Sequence, residues 1–135
     1  MVKEYHIASP TFWDDINRDF GTGGGIYKLF SKRDGKIQPI NRFLGQDENG
    51  TLYIGKATSY IDRVIGLKKT LDPKYKSSPH ICGRRYNKNI RVQEAFPFTD
   101  LFVQLESSDD PVNREKELLL EYFNTFGEVP PLNAV

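Results

Sequence analysis

The chain has 135 residues, 38% apolar and 27% charged, enough for one compact domain whose core needs no disulfide or structural metal. A single cysteine, Cys82, excludes a disulfide framework and any cysteine-rich zinc site, and no apolar run is long enough for a membrane span. The net charge of +1 conceals a division: residues 1–55 are neutral, residues 56–91 carry ten basic against two acidic side chains, and residues 92–135 carry two basic against nine acidic.

The first residues have no apolar leader, which sets the expectation of a reduced, cytoplasmic protein with no membrane partner. Ser9-Pro10 reads as a helix start, with proline in the first turn, and the helix runs to about Phe20. Gly21-Thr22-Gly23-Gly24-Gly25 stops it. These glycines lead into a strand and lack a following Lys-Ser/Thr, so they read as a turn rather than a phosphate loop. Residues 26–31 are rich in β-branched and aromatic types and predict a strand. Arg33-Asp34-Gly35-Lys36 and Asp47-Glu48-Asn49-Gly50 are hairpin-turn signals, with an extended insert between them and a short strand over residues 51–55. Thr58 or Ser59 caps a helix whose apolar residues Ile61, Val64 and Ile65 recur at helical spacing. Residues 72–90 read as a basic loop. Leu101, Val103 and Leu105 alternate as in a strand, and Asp110-Pro111 opens a last helix to about Phe126. With no linker or repeat, the order implies a single α+β domain over residues 1–135.

Within this outline a few side chains stand out. Tyr27 and Tyr53 lie on successive strands, and alternation lets both phenols reach one surface; the plainer reading is a cross-strand aromatic pair. Arg63, on the following helix, either snorkels along the sheet or offers its planar fork to a phosphate. Lys56 ends the second tyrosine's strand and adds a second cation. Glu115 shares the stripe of Leu118, Leu119 and Tyr122 on the last helix. A carboxylate pointing at a core must be paired, protonated or bound to a cation, so a salt bridge to Arg63 and a divalent metal both remain open. His80, within the basic stretch, is a candidate proton acceptor or a solvated loop histidine.

Gly25-Ile26-Tyr27, Tyr53-Ile54-Gly55, Arg63 eight residues later, Glu115 in Glu-x-x-Leu-Leu-x-x-Tyr and the terminal Pro-Pro-Leu-Asn133 together resemble the GIY-YIG nuclease superfamily, over residues 25–133. The resemblance implies a three-stranded antiparallel sheet flanked by helices, behind an N-terminal helix and Gly-rich turn over residues 1–24. It implies hydrolysis of DNA phosphodiester bonds with one divalent ion, Mg²⁺ or Mn²⁺. It assigns Glu115 as metal ligand, Arg63 as clamp on the scissile phosphate, and Tyr27 and Tyr53 as groups that position or deprotonate water. Asn133 would hold the site from the far end of the chain, and Lys56 or His80 would assist proton removal. A catalytically inactive nucleic-acid-binding module of the same fold is the alternative.

Two departures matter. Residues 31–50 form a longer connection than many members have and look like an inserted hairpin. Four residues after Arg63 stands Leu67, where many members place a histidine. A tyrosine base would need nearby cations to lower its phenol, and the basic segment would supply them. Lys68, Lys69, Lys74, Lys76, Arg84, Arg85 and Lys88 are the candidate DNA contacts. Selectivity is expected from the insert, from a dimer or from a protein partner.

Overall fold

The computed structural model describes residues 1–72 and 81–133. Lys74, Lys76 and His80 therefore lie outside the described residues. Strands and helices follow as β1 (Val2–His6), α1 (Phe12–Phe20), β2 (Gly25–Arg33), β3 (Lys36–Ile37), β4 (Ile40–Arg42), β5 (Gly45–Asp47), β6 (Tyr53–Ala57), α2 (Tyr60–Leu71), α3 (Ile81–Asn87), α4 (Ile90–Ala95), β7 (Leu101–Ser107) and α5 (Pro111–Phe126). Among the described residues no helix is long and apolar enough to cross a membrane.

The protein is mixed α+β, as the element order implied, but its main sheet has five strands rather than three. They run β1-β7-β2-β3, with β6 also paired to β2, and the pairings are antiparallel. The two extra strands are β1, which flanks β7, and β3, which folds back on the end of β2 through Asp34 and Gly35, both at positive φ as a tight hairpin requires. In place of one inserted hairpin there are two short ones, because β4 and β5 form their own pair. The segment expected as a basic loop includes α3. Its Cys82, Gly83 and Tyr86 are buried while Arg84 and Arg85 face out.

The sheet has a buried aromatic face and a half-covered one. Tyr27 and Leu29 of β2, Tyr53 of β6 and Leu101, Val103 and Leu105 of β7 form one core with Phe12, Ile16, Tyr60, Val64 and Leu67 from α1 and α2. On the opposite face Ile26 and Ile54 pack under Leu118 and Tyr122 of α5. Strand alternation places Tyr27 and Ile26 on opposite faces, so the sheet separates the two cores. The α5 helix begins where Asp110-Pro111 requires: the Asp110 carboxylate accepts the Asn113 amide at 3.3 Å. Ser59 is the N-cap of α2, as expected, and Thr11 rather than Ser9 caps α1.

Candidate functional site

Everything of interest gathers around β6, whose inner side pairs with β2. The register sets Tyr27 opposite Gly55 and Leu29 opposite Tyr53, so the two tyrosines are diagonal neighbours on the same face. Their rings meet edge to face with centroids 5.9 Å apart. The Tyr27 ring lies across Gly55 so closely that a Cβ there would sit 2.4 Å from Cζ and 2.6 Å from the hydroxyl. Gly25 has a similar reason: a Cβ would fall 2.2 Å from the Glu106 carbonyl and 2.5 Å from the Tyr60 hydroxyl, which donates to that carbonyl at 2.6 Å. Both glycines of the two strings are thus demanded by packing.

The expectation that the phenols project to an open surface needs correcting. Tyr27 is fully buried and Tyr53 is 7% exposed, because α2 and α3 cover this face. Burial pushes the Tyr27 phenol up, reinforced by Tyr53, while the charge and hydrogen bonding of Arg63 pull it partly back. Burial likewise raises Tyr53, with Cys82 and Glu115 acting in the same direction and Arg63 and Tyr27 against them. The cations therefore do not win: desolvation is the larger effect, and both phenols stay protonated well past neutral pH.

Arg63 sits on the exposed side of α2 with its guanidinium in reach of Tyr27. Glu115 comes from the other side of the sheet, on α5, and its side chain is 19% exposed. Its partner is Lys56 rather than Arg63, with Nζ 3.4 Å from Oε1. Lys56 is itself about half exposed, so the pair is wet at one end. Beside it opens a cleft of about 650 Å³ lined by Lys56, Ala57, Thr58, Ser59, Asp62, Arg63, Pro111 and Val112. Sequence reasoning passed over most of these. Ser59 and Pro111 stand four residues before Arg63 and Glu115, one helical turn, and that shared offset was the available signal.

Asn133 closes β6 from outside. Its carboxamide accepts the Ile54 amide at 3.0 Å and donates to the Ile54 carbonyl at 2.9 Å, while the Leu132 amide donates to the Leu52 carbonyl at 2.9 Å. Asn133 thus mimics one rung of a ladder, and its own carbonyl accepts from Arg85 at 2.6 Å. It is a positioning residue for β6. Cys82, which the sequence marked only as the single cysteine, is buried near the tyrosines; burial raises its thiol against the pull of Arg85 and Arg63.

The candidate DNA contacts divide. Lys69, Arg84, Arg85 and Lys88 are exposed, although Arg85 also holds Asn133. Lys68 packs over the rings of Phe12 and Trp13, 5.1 and 5.4 Å from their centroids, and joins α1 to α2. Among the described residues no three His, Cys, Asp or Glu side chains gather as a metal cluster. A cation here would have the Glu115 carboxylate as a protein ligand, with the Asp62 carboxylate on the wall of the adjoining cleft. That donor set fits Mg²⁺ or Mn²⁺, which take oxygen ligands and keep several waters alongside one carboxylate and substrate phosphate. No protein-family model matches the chain, and comparison with curated proteins and with solved structures found no match.

Proposed function

We propose that this chain is a metal-dependent endonuclease of the GIY-YIG type that hydrolyses DNA phosphodiester bonds. The observation that carries the reading is that two buried phenols, an exposed guanidinium and a largely shielded carboxylate all gather around β6, with an open cleft beside the guanidinium and Lys56. Arg63 holds a nonbridging phosphate oxygen and neutralises charge as it builds in the transition state. Tyr27 and Tyr53, buried behind Arg63 and with phenols too raised to serve as bases, act through the guanidinium: Tyr27 accepts a hydrogen bond from Arg63 and Tyr53 packs against Tyr27, which fixes where the cation points. Lys56 steadies the Glu115 carboxylate and adds positive potential to the cleft. A divalent ion held by Glu115 would polarise the phosphate and stabilise the leaving oxygen.

The Lys56–Glu115 ion pair also favours a second reading, a module of this fold that binds nucleic acid without cutting it. Plasmid nicking in Mg²⁺ or Mn²⁺ separates the two. Glu115→Ala and Arg63→Ala should each lower the cutting rate by about 10²–10³ with an unchanged circular dichroism spectrum. A fully active Glu115→Ala protein would overturn the endonuclease reading, and a wild-type protein that binds DNA without cutting would favour the second.

A further inference from the structure

We infer that the cleft between the first turns of α2 and α5 holds the unstacked base of the nucleotide next to the scissile phosphate; this rests on the nuclease reading and names the substrate it takes. The cleft, about 650 Å³, falls in the size range of small-molecule sites. Its lining divides in kind. Lys56 and Arg63 are cations, Ala57, Pro111 and Val112 are apolar, and Thr58, Ser59 and Asp62 are polar. A nucleotide has the same three parts: an anionic phosphate, flat apolar ring faces and a polar ring edge. Val112 is 46% exposed and lines this cleft, so part of its apolar surface is open to a ligand. Ser59 makes no side-chain capping bond, which leaves its hydroxyl to other partners.

Asp62 sets the chemistry at the ring edge. It is exposed, and a carboxylate facing the exocyclic position of the ring accepts from the amine of cytosine or adenine and meets the O4 carbonyl at the same position of thymine. In an intact duplex one amine hydrogen can still be read from the major groove, but the ring faces are stacked, so the apolar lining of a cleft has nothing to meet. The substrate is therefore DNA with an unpaired or extruded nucleotide beside the cut, such as a flap, a loop or a flipped base.

The test needs neither metal nor turnover. Amide NMR shifts are followed as the labelled protein is titrated with deoxycytidine monophosphate, thymidine monophosphate and deoxyribose phosphate. The largest shifts should fall at residues 57–62 and at Val112, and the cytidine nucleotide should bind about tenfold more tightly than the sugar phosphate. Val112→Ser should weaken the nucleotide and leave the sugar phosphate unchanged; Asp62→Asn should erase the preference over thymidine. Equal binding of nucleotide and sugar phosphate, shifts confined to other residues, or no binding would each overturn the inference. A protein that cuts plasmid yet fails this test loses the base site alone. One that passes but never cuts loses the nuclease reading instead.

Discussion

Gly55 and Tyr27 show how a residue-level constraint defines the candidate site. The phenol reaches its position only because the residue opposite has no Cβ, with 2.4 Å from the built atom to the ring. Gly55→Ala should cost about 1–3 kcal/mol in urea unfolding, as overpacked cores do, and should shift the Tyr27 ring. Wild-type stability in that variant would mean the ring is free to move aside. The two Tyr and Gly strings were visible in the chain because they sit on strands of regular alternation. What alternation left open was which face is dry. Tyr27 and Tyr53 read as able to reach one surface together, yet each sheet face carries its own core here, so the residues of β6 before Lys56 are buried.

Among the elements, β6 depends on what flanks it. Asn133→Ala would remove two hydrogen bonds and leave the buried Ile54 amide and carbonyl without partners. The expected loss is about 2–3 kcal/mol in denaturant unfolding. Nicking should fall in proportion to the misplaced strand, and an unaltered unfolding midpoint would deny Asn133 its role. Helices with strong punctuation, α5 above all, were legible because Asp110-Pro111 and the αL residue Gly127 mark both ends. Two elements left no hydropathic mark. In β1 only Tyr5 is buried, and the strand exists through its backbone pairing with β7. The α3 helix buries Cys82, Gly83 and Tyr86, and at Gly83 a Cβ would meet the Thr70 side chain at 2.0 Å. A glycine that permits close helix packing looks, in sequence, like a loop residue.

At the scale of the whole molecule, buried phenols and uneven charge make separable predictions. Of seven tyrosines, Tyr5, Tyr27, Tyr53, Tyr60, Tyr86 and Tyr122 are raised above the ordinary value of 10.0, each by burial first, with Tyr86 pushed up to about 12; Tyr75 lies outside the described residues. Raised phenols stabilise the fold fully below the unfolded value of about 10, and that stability is lost as pH climbs above it. Phenolate absorbance should therefore appear together with unfolding in one steep alkaline transition. Gradual ionisation of a folded protein would contradict the burial. The basic segment was legible from residue counts, but not which of its charges face water. Neutralising Lys69, Arg84 and Lys88 together should flatten the salt dependence of DNA binding by a slope of up to about 3, roughly one per phosphate contact. An unchanged slope would place the DNA elsewhere, whereas Lys68→Ala should lower stability more than that slope.

The Asn133 rung has a further consequence for how copies of this protein meet. Because Leu132 and Asn133 occupy the outer flank of β6 at Leu52 and Ile54, that stretch presents no bare main-chain template on which a neighbour could add a strand. The lock that sets the geometry of the site thereby also guards it against edge-to-edge aggregation.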